Sequence, residues 1–271
     1  MAEALLEARG VVVAYAGHRS AFGRRQPPKP VLHGVDIALE RGETIGIVGE
    51  SGSGKTTLGR GLLGLVPLNA GSIRFDGQEI STLDEAAMRP LRRRMQMIFQ
   101  DPMSSLNPRR RIGSTLLAPL LLHGIGDHAE VEARVRAVIE RGGLPPSVLE
   151  RYPHELSGGQ RQRVGIARAV VLAPDFVLAD EIVSGLDVST QAQVLQLLGE
   201  LKRDMNLSMA FISHDLSVVR AVCDRVYVLC EGRVVEEGRC EEVFQAPRHA
   251  YTRALIDAIP LPVIDPQWLA R

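Results

Sequence analysis

Short apolar runs alternate with amphipathic stretches along most of the chain. The β-branched run from Thr44 to Val48 is typical of a buried strand, and residues 58–65 carry apolar side chains at helical spacing. Further strands are predicted at residues 5–15, 31–40, 176–179 and 209–213. This alternation of strands and helices predicts an α/β fold with a mostly parallel central sheet.

The pattern changes between Gln100 and Leu156. Helical stretches over residues 112–122 and 129–141 are surrounded there by loops rich in proline and glycine. We interpret this region as a helical lobe inserted into the sheet domain. A shorter separator, Gly17 to Pro30, holds three prolines and is interpreted as a surface insertion.

Composition excludes several classes of protein. The chain has 271 residues, of which 45% are hydrophobic and 24% are charged, enough for one large domain with a small lobe. Its net charge of zero gives no support for a nucleic acid as the main partner. We expect neither a secretion signal at the N-terminus nor a membrane span, which needs about 18 apolar residues. Three cysteines without C-x-x-C spacing favour a reducing compartment.

Residues 49–57 read GESGSGKTT and fill every fixed position of the phosphate-loop pattern G-x-x-x-x-G-K-S/T. Glycines allow the backbone N–H groups to turn toward a phosphate, and the following helix adds its positive end. Lys55 is then predicted to reach the β- and γ-phosphates, and the Thr56 hydroxyl to bind Mg²⁺. A glycine-rich turn that matches by accident is the alternative, but the strand–loop–helix context disfavours it. The sequence predicts a nucleoside triphosphate site.

Two acids follow the apolar run at residues 176–179. Asp180 is therefore expected at the carboxyl end of a buried strand beside the phosphate loop, where an acid associated with Mg²⁺ belongs. Glu181 is placed to orient and deprotonate the attacking water. An acid pair in a solvated turn is the alternative, and the apolar run before it argues against that.

A second anion site is predicted at residues 156–160, which read LSGGQ and begin a helix that extends to about Leu172. Ser157 is expected to cap this helix, and the two glycines leave N–H groups free at its positive end. One triphosphate does not need two such sites. We therefore predict that this site serves the nucleotide of a partner subunit, with an ordinary Ser-Gly cap as the alternative.

Taken together, these motifs resemble the nucleotide-binding subunit of an ABC transporter over nearly the whole chain. The resemblance implies a RecA-like P-loop NTPase core with an N-terminal antiparallel β subdomain and an inserted helical subdomain. Residues 1–100 and 157–240 would form the core with its β subdomain. Residues 101–156 would form the helical subdomain, and residues 241–271 a C-terminal extension.

The resemblance also implies roles for single residues. Tyr15 matches the residue that stacks on adenine, Gln100 the Q-loop glutamine that touches Mg²⁺, and His214 the switch histidine on the γ-phosphate. Singly, Tyr15 could be an edge-strand residue and His214 a polar residue at a strand end. The implied catalytic residues are Glu181, His214 and Gln100. The implied Mg²⁺ ligands are Thr56, Gln100 and Asp180. The implied ATP-binding residues are Tyr15, Gly49, Ser51, Gly52, Ser53, Gly54, Lys55, Thr56, Thr57 and Asp180, and in trans Ser157, Gly158, Gly159, Gln160 and the D-loop residue Asp187.

Four further segments resemble the oligopeptide, dipeptide and nickel importer group: residues 100–109, 151–155, 187–193 and the late segment 247–255. The chain departs from the usual pattern at Ile182-Val183, at Gly185 in the D-loop and at Ala250, where proline is usual. None of these departures removes a functional group, so ATPase activity is expected to remain.

The resemblance implies ATP and Mg²⁺ as cofactors and peptide import as the function. It implies a second ABC ATPase chain in a head-to-tail dimer, with a different chain as the first choice. It also implies two permease subunits and, indirectly, an extracellular binding protein. The expected location is peripheral, on the cytoplasmic face of the cell membrane. A nickel or metal-chelator importer stays open, because the ATPase does not contact the cargo. An exporter or a soluble DNA-repair or ribosomal ATPase is disfavoured.

Overall fold

The fold was analysed in a computed structural model, which describes residues 4–15 and 28–258. Most of the insertion predicted from Gly17 to Pro30 lies outside the described residues, as do residues 259–271. The last two residues of that predicted insertion, Lys29 and Pro30, belong to a strand. Within the described ranges, every helix is too short or too polar to cross a membrane.

Ten strands occur in the described ranges. They are β1 (Leu6–Tyr15), β2 (Lys29–Leu39), β3 (Thr44–Val48), β4 (Ala70–Phe75), β5 (Gln78–Glu79), β6 (Met95–Ile98), β7 (Phe176–Asp180), β8 (Ser208–Ile212), β9 (Arg225–Cys230) and β10 (Arg233–Arg239). The strands predicted near the N-terminus, before the phosphate loop and before the acid pair are all present.

The helices in the same ranges vary from one turn to five. They are α1 (Lys55–Leu62), α2 (Glu85–Arg94), α3 (Pro102–Ser105), α4 (Ile112–Leu122), α5 (His128–Arg141), α6 (Gly158–Val170), α7 (Val188–Met205), α8 (Leu216–Val222), α9 (Cys240–Gln245) and α10 (Ala250–Asp257). Two 3₁₀ turns, Pro146–Glu150 and Pro153–Glu155, precede α6.

The central sheet has the strand order β10-β9-β3-β8-β7-β6. All neighbouring strands in it are parallel except β10, which returns antiparallel to β9. Every residue of β3, β7 and β8 is buried, which explains why these strands read as continuous apolar runs. Because the strands are parallel, the carboxyl ends of β3, β6, β7 and β8 lie along the same edge of the sheet.

A second sheet has the order β2-β1-β4-β5 and is antiparallel throughout. Side chains of β1 alternate inward and outward on each side of an irregularity at Arg9 and Gly10, with Leu6 and Ala8 buried before it and Val11 and Val13 buried after it. These side chains pack with α1 and with one face of the central sheet into the first hydrophobic core. The antiparallel N-terminal sheet predicted from the family resemblance is therefore confirmed.

Helix α6 is shared between two further cores. Ile166, Ala169 and Val170 pack in the core on the other face of the central sheet. Val164 and Ala167 pack instead in a third core, which is formed by side chains between Leu106 and Leu172, most of them from α4, α5 and α6. The helix that begins in the LSGGQ segment is thus fixed to the sheet and to the helical lobe at once.

Candidate nucleotide site

The phosphate loop joins the end of β3 to the start of α1. Gly49 has φ 148°, and a Cβ there would lie 2.1 Å from the carbonyl oxygen of Leu229. Only glycine fits at this position, because any side chain would overlap the backbone of the neighbouring strand. The loop therefore lies directly against the end of β9.

The loop leaves polar groups without partners. Gly54, the N-cap of α1, provides no side-chain hydrogen bond to the first turn of the helix. The Ser53 hydroxyl is buried and finds no hydrogen-bond partner within the part of the chain that the structure describes. Buried polar groups are normally paired, so an open helix start with an unpaired hydroxyl fits an anionic ligand. These groups match what a nucleotide phosphate requires.

Lys55 is 5% exposed, and its ammonium group donates to the carbonyl oxygens of Gly49 and Glu50, at 2.7 Å each. Burial lowers the pKa of Lys55, while the carboxylates of Glu181 and Asp180 act in the opposite direction. The ammonium is thus held inside the loop beside two negative charges.

Thr56 and Asp180 lie together at the floor of the site. The Thr56 hydroxyl is 3.3 Å from Oδ1 of Asp180, to which it donates. Burial raises the pKa of Asp180, and the charge of Glu181 raises it further, whereas the hydrogen bond from Thr56 lowers it. A hydroxyl oxygen and a buried carboxylate with a second acid beside it form a set of hard oxygen donors, which fits Mg²⁺.

Glu181 is contacted from both neighbouring strands of the sheet. Gln100, which follows β6, donates through Nε2 to Oε2 of Glu181 at 2.9 Å. Nδ1 of His214, which follows β8, lies 3.7 Å from the same oxygen. The backbone N–H of Glu181 donates to the carbonyl of Ile212, and its φ is 48°, in the left-handed region. The three side chains predicted to be catalytic therefore meet at one carboxylate.

An open cleft of about 420 Å³ lies in front of these groups. It is lined by Val31, Ser51, Gly52, Gly54, Lys55, Thr56, Thr57, Gln100 and Glu181. Tyr15 is 44% exposed, and its hydroxyl lies 3.3 Å from that of Thr57. The sequence analysis did not identify Val31, because a valine in a strand carries no signal of ligand contact.

The LSGGQ residues lie elsewhere, and none of them lines this cleft. Ser157 and Gln160 form a reciprocal capping box at the start of α6. A Cβ at Gly158 would meet no atom within 4 Å, whereas one at Gly159 would lie 2.6 Å from Cγ2 of Thr190. The predicted cap by Ser157 is present. A side chain would find open space at Gly158, whereas at Gly159 it would collide with Thr190.

Asp187 caps α7 within its own chain. Its carboxylate accepts from the backbone N–H and hydroxyl of Thr190 and from the hydroxyl of Ser189. These hydrogen bonds hold the pKa of Asp187 well below its usual range. Through Thr190, the D-loop cap contacts the LSGGQ helix.

The departures from the usual importer pattern have structural explanations. Ile182 and Val183 are buried in the second core, so apolar side chains suit both positions. Gly185 has φ 75°, which favours glycine, and Ala250 is the first residue of α10, a position where proline would also fit.

Comparison with known proteins agrees with this geometry. The ABC transporter family profile matches residues 32–184, more than half of the chain. A second profile, the C-terminal region of oligopeptide and dipeptide transporters, matches residues 235–270.

Two curated relatives of this chain are named as import ATP-binding proteins. A protein of Brucella ovis named as a peptide import ATP-binding protein is 51% identical over 96% of this chain and 80% of its own length. The glutathione import ATP-binding protein of Salmonella typhimurium is 46% identical over 97% of this chain, which spans only 42% of that longer protein.

Solved structures show the same fold. A dimeric ATP-binding cassette bound to ADP and Pi in a post-hydrolysis state aligns with a TM-score of 0.77 at 27% identity, over 87% of this chain and 98% of that one. A component of the cbiONQ transporter complex from Clostridium perfringens gives a TM-score of 0.77 at 27% identity, over 90% and 92%. The chain therefore belongs to the ABC transporter family, as an ATPase subunit with the C-terminal region of the oligopeptide and dipeptide transporters.

Proposed function

We propose that this chain hydrolyses ATP to drive uptake of peptides through partner permease subunits. The observation that carries the proposal is the presence, on one chain, of the Lys55–Glu181 cleft and of the C-terminal region shared with oligopeptide and dipeptide transporters. The curated relatives named for peptide and glutathione import support the same cargo class.

The phosphates of ATP would lie in the cleft against the open start of α1. Backbone N–H groups of the loop and the Lys55 ammonium would share their negative charge, and the Ser53 hydroxyl would gain a partner. Tyr15, at the rim beside Thr57, would stack on adenine. The residues proposed to bind ATP in this chain are Tyr15, Gly49, Ser51, Gly52, Ser53, Gly54, Lys55, Thr56, Thr57 and Asp180.

Thr56, Gln100 and Asp180 are proposed to hold Mg²⁺. When bound, the ion would neutralise charge on the phosphate oxygens. Asp180 would stay ionised there despite its burial, because a cation offsets the effect of burial on its carboxylate. The hydrogen bond that Thr56 donates to Asp180 holds the two oxygen atoms 3.3 Å apart, and Thr56 lines the cleft directly.

Glu181 is proposed as the general base, accepting a proton from the attacking water at Oε2. Gln100 and His214 already contact that atom or lie near it, so they would restrict the orientation of the carboxylate and of the water. His214 would also donate a hydrogen bond to the γ-phosphate. The strained backbone of Glu181, fixed by its bond to Ile212, keeps the side chain at the edge of the cleft.

The nucleotide of a second ATPase chain is proposed to lie on the start of α6. Ser157, Gly158, Gly159, Gln160 and Asp187 would contact it in trans, in a head-to-tail dimer with a different chain. The complete transporter would add two permeases and, indirectly, an extracellular binding protein, with no nucleic acid. The chain would then be peripheral, on the cytoplasmic face of the cell membrane.

We also propose a division of labour along the chain. Residues 1–100 and 157–240 would act as the nucleotide-binding core, and residues 101–156 as the helical subdomain that transmits motion to the permeases. Residues 241–271 would form a C-terminal extension.

The cargo can be tested in proteoliposomes that contain this chain with the permeases, partner ATPase and binding protein encoded beside it. We expect peptide-loaded binding protein to stimulate ATP hydrolysis and peptide uptake, and the same complex with Glu181→Gln to do neither. Stimulation by nickel or a nickel chelate instead of peptides would refute the peptide assignment and favour a metal importer. Transport of substrate outward would refute import.

A further inference from the structure

The C-terminal helix α10 reaches the phosphate loop. Its residue Tyr251 lies in the segment 247–255 that resembles the importer group, and this segment supplies none of the residues that line the cleft. The Tyr251 hydroxyl accepts a hydrogen bond of 2.9 Å from the backbone N–H of Glu50, 201 positions earlier in the chain. The loop that faces the nucleotide is therefore contacted from behind by the C-terminal region.

This hydrogen bond acts on the same peptide unit as Lys55. The carbonyl of Gly49 and the N–H of Glu50 belong to one planar peptide group and point in opposite directions, because the bond is trans. Lys55 Nζ donates to that carbonyl at 2.7 Å, and Tyr251 accepts from that N–H at 2.9 Å. Rotation of this peptide would break both contacts, so the Tyr251 hydroxyl restrains the carbonyl that holds Lys55.

Tyr251 is itself held in place by the sheet. Glu236 on β10 accepts hydrogen bonds from the backbone N–H groups of Arg248 and His249, at 2.7 and 2.9 Å. His249 then caps α10 by accepting from the N–H of Tyr251 at 3.2 Å. The Tyr251 side chain also packs against the second core, which contains Val48 at the end of β3. Tyr251 is therefore connected to the central sheet through β10, and Glu50 is connected to it through β3.

We propose that Tyr251 is a positioning residue for nucleotide binding: its hydroxyl fixes the Gly49–Glu50 peptide and thereby the resting place of the Lys55 ammonium. This inference rests on the proposed nucleotide site at the phosphate loop. It gives the C-terminal region a direct part in forming that site. Packing of the ring alone would not require the hydroxyl, so a variant that lacks only the hydroxyl separates the two roles.

The test uses Tyr251→Phe in the full-length chain. We expect ATP affinity to fall about three- to tenfold, the usual net effect of one hydrogen bond, with little change in the melting temperature of the nucleotide-free protein. In the assembled transporter, the KM for ATP should rise by the same factor while kcat changes little. Hydrogen exchange of the Glu50 amide, measured without nucleotide, should become faster.

A matched control is Tyr227→Phe. Tyr227 is buried on β9, and its hydroxyl accepts from the backbone N–H of Ala38 and donates to the carbonyl of the same residue, at 3.1 Å each. Ala38 lies on β2, outside the phosphate loop. This variant should lower stability and leave ATP affinity as in the parent. Equal loss of affinity in both variants would overturn the inference, because general destabilisation would then explain it.

Two results separate this inference from the proposed function. If the parent binds ATP, Lys55→Ala weakens binding and Tyr251→Phe binds as the parent does, the positioning role is refuted and the nucleotide site stands. If the parent and Lys55→Ala both fail to bind ATP, the proposed function is refuted and the positioning role falls with it. Unchanged exchange of the Glu50 amide in Tyr251→Phe would refute the contact itself.

Discussion

Two helix starts in this chain are suited to anions, and they are built differently. At α1 the N-cap Gly54 leaves the first turn open. Lys55 belongs to the helix start itself, and Gln100 and the adjacent acids Asp180 and Glu181 reach it from two segments distant in sequence. At α6 the first turn is closed by a capping box made of residues within a single turn.

This difference in construction indicates that the N-terminus of α1, and not that of α6, forms a complete nucleotide site within one chain. The start of α1 has charge, a hydroxyl without a partner among the described residues, and Glu181 at the cleft with Gln100 and His214 beside it. The start of α6 has an exposed Gly158 and lies near the Asp187 cap, and none of the side chains proposed to be catalytic belongs to it. The start of α6 offers hydrogen-bond donors but has no lysine, acid or histidine of the kind found at α1. It therefore suits one side of a nucleotide site whose other side would come from a second chain.

The largest expected effect is at α1. Lys55→Ala should abolish ATP turnover and weaken MgATP binding, because the positive charge next to the β- and γ-phosphates is lost. Nucleotide titration and phosphate release will measure both. Equal affinity and turnover in the variant and the parent would mean that the α1 start is not the nucleotide site.

A smaller but selective effect is expected at Glu181. Glu181→Gln keeps the shape of the side chain and the contact with Gln100 but removes the base, so hydrolysis should slow by on the order of 10²-fold or more. ATP binding should persist, and the closed dimer should accumulate, which size-exclusion chromatography can detect. Hydrolysis near the parent rate in the assembled transporter would assign the base to another residue.

A substitution at α6 tests the shared site directly. Ser157→Arg should prevent closure over the partner's ATP by its bulk, while ATP binding at residues 49–56 of the same chain stays intact. Photo-crosslinking of nucleotide in a mixed dimer will show which phosphate loop is affected. If the isolated variant loses binding at its own loop, the head-to-tail arrangement is contradicted.

The smallest expected effect is at the Asp187 cap, and it depends on pH. The hydrogen bonds from Ser189 and Thr190 lower the pKa of Asp187, so its contribution to stability is present at neutral pH and declines as the pH falls below the unfolded value of about 4. Thermal unfolding of Asp187→Asn should differ from the parent at pH 7, and the difference should shrink toward pH 3. A difference that stays constant with pH would exclude a charge-dependent cap.

Local patterns predicted the parts of the fold that depend on neighbouring residues. Helix α4 has the predicted bounds of 112 and 122, β7 is one residue longer than predicted, and β8 is shifted by one residue at both ends. The agreement is close because buried apolar runs and helix caps depend on residues that are neighbours in the sequence. The phosphate loop and the capping role of Ser157 were readable for the same reason.

Contacts between residues far apart in the chain could not be predicted from sequence patterns. The hydrogen bond between Glu50 and Tyr251 joins positions 201 residues apart, and no periodicity encodes it. The sharing of α6 between two cores also depends on how layers pack. The Asp187 cap depends on Ser189 and Thr190, which are close in sequence, so this cap is a local feature that the sequence could have predicted.

The backbone of Glu181 has a consequence for how this protein changes over generations. A non-glycine residue in the left-handed region costs roughly 1–2 kcal/mol, and the acid also stands next to the buried Asp180. Glycine or asparagine would adopt the same backbone more easily and would remove the repulsion. Mutational drift screened only for soluble, folded protein should therefore favour replacement of Glu181, whereas selection for growth on imported cargo should retain it. Loss of the glutamate in a relative would accordingly mark relaxed selection on hydrolysis rather than a failing fold.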